Sequence, residues 1–346
     1  GNYNVSVVGK SGAGKSVFMQ ELVTSIYSEG GRVLVIDDGY SFKNTCDILG
    51  GEWLGIGSAS GFRLNPFSMI SSDAMGHVEY RADALELITR VLSTMANLGV
   101  QREGRVSGIE EEYIERACAD VWDDLGNDGS VTEVVGLLEK AVAEEPRLSD
   151  VVTKLRRYAR GGTYGEMFDG PANVSIDSAF TVFELSELKS QKDLEAVVLQ
   201  VIMFLGTELM FKTDRATRVA ILIDEAWDML GGVGTANFLE GVVRRARKYT
   251  GALITGTQSM MDYYNNPAAL VCLENSDWTV FLAQKPEVID QLVATGRLAA
   301  PEGVAHSLKT LISAKGQFSE LGIRGPDGWV FGRLILDPYS LAVYST

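Results

Sequence analysis

Histidine, cysteine and positive charge are all scarce in this sequence. Two histidines (His77, His306) and three cysteines (Cys46, Cys118, Cys272) are scattered over 346 residues with no C-x-x-C pair. That spacing excludes the usual zinc frameworks, and an odd set of distant thiols is no disulfide scaffold. The thiols read as small core residues of a reducing compartment and the histidines as structural or surface groups. No apolar run approaches the roughly 18 residues of a membrane span. The most apolar stretches, Val5–Val8, Val219–Ile223 and Ala252–Ile254, have strand length. Internal repeats and low-complexity segments are absent. Lys and Arg total 31 against 46 Asp and Glu, a net charge of −15. A chain whose main task is gripping nucleic acid neutralises phosphates with a basic face. Here the one dense basic cluster is Arg244-Arg245-Ala246-Arg247-Lys248, so nucleic acid is not expected as the main partner.

What is present is an alternation of strand and helix patterns. A β-branched strand, Asn4–Val8, runs into the loop Gly9–Gly14 and a helix from Lys15 to about Ser28. A second strand, Arg32–Ile36, ends in Asp37-Asp38-Gly39, and a short helix (Phe42–Leu49) and strand (Glu52–Ile56) follow. From Asp73 to about Arg160 the texture is helical, with Leu85, Ile88, Leu92, Met95 and then Val134, Leu137, Leu138, Val142 recurring at 3/4 spacing. The alternation then resumes: strand Ala179–Phe183, helix Leu194–Met210, strand Val219–Ile223, helix Asn237–Lys248, strands Leu253–Gly256 and Trp278–Leu282. Alternating strands and helices predict a mostly parallel sheet covered on both faces. After Lys315 the pattern turns antiparallel, Gly316–Ile323 and Trp329–Leu336 about a Pro326-Asp327-Gly328 turn. The expected architecture is α/β: residues 1–70 and 165–346 form one domain, and 71–164 form an inserted all-α subdomain.

Gly9-Lys10-Ser11-Gly12-Ala13-Gly14-Lys15-Ser16 satisfies G-x-x-x-x-G-K-[ST] in full, between a strand and a helix. Its glycines allow backbone N–H groups to curl around phosphate oxygens, and the helix directs its positive end at the same charge. Lys15 is assigned to the β- and γ-phosphates and the Ser16 hydroxyl to Mg²⁺, with Val17 completing the nucleotide contacts. ATP and Mg²⁺ are the implied ligands.

Val219-Ala220-Ile221-Leu222-Ile223-Asp224-Glu225 is an apolar strand ending in two carboxylates. It is expected beside the strand that feeds the loop. There Asp224 holds Mg²⁺ through water and Glu225 polarises the attacking water. Asp37-Asp38 ends an earlier strand and ranks below this pair. Gln258, at the tip of the next strand, reads either as a γ-phosphate sensor or as an amide bonding the adjacent turn. Arg63 and Asn65-Pro66 are expected to shape a loop beside the nucleotide, and Met203, Phe204 and Met210 to be core. The arginine cluster has two readings. It is a helix C-terminus stabilised by cations, with Glu240 the i,i+4 partner of Arg244. Alternatively, one of Arg244, Arg245 and Arg247 completes a neighbouring subunit's site.

Taken in order, Gly9–Ser16, Asp38-Gly39-Tyr40-Ser41, Leu64-Asn65-Pro66-Phe67, Ile223-Asp224-Glu225-Ala226-Trp227, Arg247-Lys248-Tyr249, Thr257-Gln258-Ser259 and the closing Leu336-Asp337-Pro338-Tyr339-Ser340-Leu341-Ala342 resemble the C-terminal ATPase domain of TraC-type conjugative transfer ATPases of type IV secretion systems. The resemblance implies a RecA-like P-loop NTPase with an inserted all-α subdomain, and it puts Arg247 first among the arginines. It further implies a homo-oligomer, hexameric at full length, at the cytoplasmic side of the bacterial inner membrane. Other secretion components would be its partners, and pilus assembly and substrate transfer its output. Full members carry a large N-terminal domain, so the resemblance casts this chain as an excised motor domain with Gly1 a cloning remnant. The alternative on the same fold is a DNA-translocating HerA/FtsK-like or coupling-protein ATPase.

Overall fold

The computed structural model describes residues 2–57, 60–70, 78–97, 108–225 and 235–345. His77, Ala226, Trp227 and the expected start of the insertion at residue 71 lie outside them.

Ten strands form one sheet: β1 (Val5–Val8), β2 (Arg32–Asp37), β3 (Glu52–Gly55), β4 (Phe180–Glu184), β5 (Val219–Asp224), β6 (Gly251–Thr257), β7 (Trp278–Phe281), β8 (Ser313–Ala314), β9 (Phe318–Gly325) and β10 (Gly328–Leu334). The order is β10-β9-β7-β1-β6-β5-β2-β4-β3, with β8 pairing β9. Strands β1 to β7 pair in parallel. β8, β9 and β10 add antiparallel pairs at one end, and β9 pairs directly with β7. The mostly parallel sheet and the C-terminal hairpin about Pro326-Asp327 are therefore as the patterns indicated.

One neighbour relation corrects the sequence reading. β5 is not adjacent to β1, because β6 lies between them and pairs with both. The acid pair thus reaches the loop across the tip of β6, which is how Gln258 enters the same site.

Strand alternation sorts side chains between two cores. Val33, Val35, Ala220, Leu222 and Ile254 pack with Met19 and Val23 of the helix Lys15–Ser28. Leu34, Ile36, Ile221, Ile223 and Leu253 pack under the helix Lys192–Lys212. Between β3 and β4 the described residues hold helices and no strand, among them Val78–Asn97, Gly108–Leu125, Val131–Ala141 and Leu148–Leu155. Their apolar faces join the Lys192–Lys212 side in one continuous cluster.

That long helix also corrects the expectation of strand-length apolar runs. By length and composition it could cross a membrane, yet 94% of its most apolar window is buried. The sheet covers one side, and the helices Val78–Asn97 and Thr235–Lys248 cover the other. A helix hydrophobic all round is what such a central position requires. Met203, Phe204 and Met210 are core, the three cysteines are buried, and His306 is exposed.

Asn65 is a third correction. It is 1% exposed and lines no part of the phosphate-loop cavity described below. Its amide Nδ2 donates to the carbonyls of Gly129 and Gly170 at 2.8 and 3.1 Å, while Oδ1 accepts the Phe67 N–H at 3.1 Å. Asn127 answers from the helical block, donating to the carbonyls of Phe67 and Ile70. Leu64-Asn65-Pro66-Phe67 is thus a clasp that ties the helical block to the sheet domain, because a buried amide satisfies several main-chain groups at once. Replacing Asn65 by Ala strands the buried Gly129 carbonyl and the half-buried Gly170 carbonyl and is expected to cost about 1–3 kcal/mol. Urea unfolding measures this, and an unchanged midpoint would remove the clasp.

Candidate nucleotide site

The loop after β1 is held on both sides by its neighbours. Gly9 N–H donates to the Thr257 carbonyl at the end of β6, and Lys10 N–H to the Ala283 carbonyl beyond β7, at 3.1 and 2.9 Å. Gly12 and Gly14 have φ of 77° and 90°, the left-handed region that glycine tolerates. A Cβ on Gly14 would lie 2.3 Å from Ser319 Oγ of β9, so this position has neither conformational nor spatial room for another residue. The helix Lys15–Ser28 begins with no side-chain cap and no acidic residue in its first turn. Its terminal N–H groups and positive dipole end therefore remain available to an anion.

Lys15 is 6% exposed. Its ammonium is bonded to Asp224 Oδ1 and lies 3.3 Å from Glu225 Oε1. Ser16 Oγ donates to Asp224 Oδ2 at 3.2 Å. Asp224 itself is 3% exposed. A hydroxyl and a carboxylate side by side are the hard-oxygen donors Mg²⁺ takes. Among the described residues no group of three or more His, Cys, Asp or Glu could hold a metal. Ser16 and Asp224 would thus hold the ion with phosphate oxygens and water, supplying charge neutralisation for the phosphates.

Glu225 sits at the rim with φ of 53°, a strained value for a non-glycine residue. Gln258 Nε2 donates to Glu225 Oε1 at 3.1 Å, and Gln284 Nε2 donates to the Gln258 carbonyl at 3.2 Å. The tip of β6 therefore orients the carboxylate, although Gln258 lies 33 residues away in sequence.

Asp37, the competing acid, is structural. It is 2% exposed and accepts the N–H groups of Asp38 and Phe42. Glu184 accepts those of Gly39 and Tyr40, so two buried carboxyl groups pin this turn. Burial first, then the nearby charges of Glu184 and Asp224, push Asp37 up to about 7. Asp38 pairs with Lys189 at 3.0 Å.

The loop faces a cavity of about 400 Å³, within the range of small-ligand pockets. Gly9 to Gly12, Gly14 to Val17, and Glu225 line one side. The opposite wall was not foreseen: it comes from Ser313–Ser319 and from Leu334, Leu336, Leu341 and Tyr344. The helix Pro338–Tyr344, capped by Asp337 on the N–H groups of Tyr339 and Ser340, is fastened by Gln20 Nε2 donating to the Tyr344 carbonyl at 3.2 Å. The Asp-Pro start of that helix was the one local signal for this wall.

The arginines stand apart from this cavity. Arg244 pairs with Glu86 at 3.1 Å rather than with the expected Glu240. Arg245 is 4% exposed and donates to the Asp83 carbonyl, with Asp83 and Glu86 carboxylates at 4.0 and 3.9 Å. It is therefore turned into the helical block. Arg247 is exposed and lines a shallow depression with Glu240, Arg244 and Asn275.

With this geometry in view, residues 1–288 match the family model of the TraG P-loop domain. The chain belongs to that family. It is 29% identical over its whole length to the protein TraC of Escherichia coli K12, and 23% identical over 93% of its length to the type IV secretion system protein VirB4 of Bartonella henselae. It spans 40% of each of these relatives. The VirB4 structure of Thermoanaerobacter pseudethanolicus has the same fold, with a TM-score of 0.75 at 22% identity, covering 98% of this chain and 91% of that one. The relatives agree with the TraC-type resemblance, and the fold agrees with the expected P-loop α/β class.

The Asp37 carboxyl supplies a pH test. Its folded value of about 7 lies above the ordinary 3.8, so the stability it contributes is complete below about pH 4 and is lost as pH rises through about 7. Asp37→Asn removes that dependence. The Tm of the variant minus that of the wild type should rise between pH 4 and pH 8, and a flat difference would contradict the burial argument.

Proposed function

We propose that this domain is an ATP-hydrolysing motor of a type IV secretion system. In this reading it energises pilus assembly and substrate transfer from the cytoplasmic side of the bacterial inner membrane, as a homo-oligomer among other secretion components. The observation that carries the enzymatic part is the convergence of Lys15, Ser16, Asp224, Glu225 and Gln258 at the C-terminal end of the sheet. The family membership and the TraC and VirB4 relatives support the cellular part.

Lys15 and the N–H groups of the loop bind and neutralise the phosphates. Glu225 accepts a proton from the attacking water, and Gln258 holds that carboxylate in place and senses the terminal phosphate. Lys15 sits between Asp224 and the loop, so phosphate oxygens compete with the carboxylates for one ammonium. The arginines are outside the cavity of their own chain, which supports one of them, Arg247 first and then Arg244, acting on a neighbour. Arg245 is the weakest candidate because of its burial. A charge of −15 supports a protein-directed motor over a DNA-tracking one.

Glu225→Gln should bind nucleotide normally and hydrolyse it at least about 100-fold more slowly. Lys15→Ala should lose turnover and also lower the Tm, since it leaves the buried Asp224 carboxylate without its cation. Wild-type turnover in either variant would overturn the site. Under assembling conditions, a mixture of inactive Arg247→Ala and inactive Glu225→Gln should regain activity, each chain supplying what the other lacks. No recovery would leave Arg247 a solvated helix end. Strong stimulation of hydrolysis by DNA would favour the translocase reading.

A further inference from the structure

Gln284 is a buried amide that belongs to no strand or helix. It lies beyond β7 and ahead of the helix Pro286–Ala294, whose start has no side-chain cap, and it is 4% exposed. It lines no part of the phosphate-loop cavity. Its Nε2 donates to the Gln258 carbonyl at 3.2 Å, with a longer contact of 3.5 Å to the Ala283 carbonyl. Both partners are carbonyl oxygens, so the amide has to present its NH₂ to them. A hydrophobic side chain of similar size would fill such a place without the cost of burying an amide. What glutamine adds here is the bond.

That bond crosses a strand. β7 and β6 are not neighbours, because β1 lies between them and pairs with both. An amide that starts at the end of β7 and finishes on the tip of β6 therefore passes over the end of β1, where the loop begins. The same stretch of chain also holds the loop. Leu282 N–H donates to the Val8 carbonyl and Lys10 N–H to the Ala283 carbonyl, at 2.8 and 2.9 Å. Leu282, Ala283 and Gln284 thus grip, in succession, the end of β1, the loop and the β6 tip.

Gln258 needs such a hold. β6 ends at Thr257, so the Gln258 carbonyl has left the strand ladder, and Gln258 is exposed. Its neighbours are fixed from the other side, where Asp262 Oδ2 accepts the Thr257 hydroxyl and the Ser259 N–H at 2.6 and 2.9 Å. The second of these contacts belongs to the capping box of the helix Met260–Asn265 and is explained by it. The Gln284 bond has no such duty. We propose that Gln284 is a positioning residue: by holding the Gln258 carbonyl it sets where the Gln258 amide, and through it the Glu225 carboxylate, stand relative to the phosphate loop. This rests on the proposal that Glu225 accepts a proton from the attacking water.

Steady-state ATP hydrolysis under assembling conditions tests this, with affinity measured separately by calorimetric titration of the imido analogue of ATP in Mg²⁺ buffer. Gln284→Ala should lose about 10- to 100-fold in kcat, the scale of a misplaced reacting group. Its affinity for the analogue should stay within about twofold of the wild type, which also reports that the chain is folded. Because Gln284 acts through Gln258, adding Gln284→Ala to Gln258→Ala should cost almost nothing further. Gln284→Glu keeps the shape but cannot donate while ionised. Its kcat relative to the wild type should be low near about pH 8 and rise as pH falls to about 6, where a buried carboxyl regains its proton. An affinity loss as large as the kcat loss would overturn the proposal by placing the effect on the loop through Ala283. Additive losses in the double variant, an unchanged kcat, or a Gln284→Glu ratio independent of pH would also overturn it. Should Gln284→Ala fail to fold, the pH dependence of Gln284→Glu decides alone. No turnover in the assembled wild type, or wild-type turnover in Glu225→Gln, would instead remove the hydrolytic reading beneath the proposal.

Discussion

The site depends on one buried ion pair. Lys15 at the first turn of a helix and Asp224 at the end of β5 are both almost out of solvent and bonded to each other. Removing two charges from water is costly, and only good geometry with further hydrogen bonds offsets that cost. Ser16 on one Asp224 oxygen and Glu225 beside the ammonium provide it. The pair sets the distance between the loop and the acid strand.

The strand order explains how the remaining groups join. With β6 between β1 and β5, its tip stands beside both the loop and the acid pair. Gly9 hangs from the Thr257 carbonyl, and Gln258 grips Glu225. Glu225 is therefore connected through Gln258 to β6 and, through Ser259 and Asp262, to the helix Met260–Asn265 that follows it. The antiparallel strands extend this on the opposite flank, where β9 packs on Gly14. Both flanks thus hold the loop, and the loop conformation is over-determined in the way strained functional backbone requires.

Two of the polar links between the helical block and the sheet domain involve motifs read from the sequence. Asn65 and Asn127 make a polar clasp at its base. Asp83 and Glu86 of the helix Val78–Asn97 hold Arg244, Arg245 and Lys248 at its side. Three of the four basic side chains in the dense cluster are therefore engaged by acids from a segment that a reading of helix spacing places elsewhere. A single continuous apolar cluster lies between these two attachments.

Local pattern was enough for the loop motif, the apolar strand ending in Asp224-Glu225, the helical texture of the block and the antiparallel close. In each of these the residues that matter are neighbours in the chain, and strand and helix periods carry them. The relation of Lys15 to Asp224, 209 residues apart, and of Gln20 to Tyr344, 324 apart, leaves no such trace. Neither does the insertion of β6 between β1 and β5, the burial of a largely apolar helix by the elements around it, or the use of Asn65 as a clasp. The apolar wall of the cavity belongs with these, because Leu336 and Leu341 acquire their meaning only when β9 and the last helix are laid across the loop. The chemistry of the phosphate cradle was thus determined by sequence alone. What surrounds it was decided by tertiary structure, since packing brings together side chains whose separation along the chain no periodicity can encode.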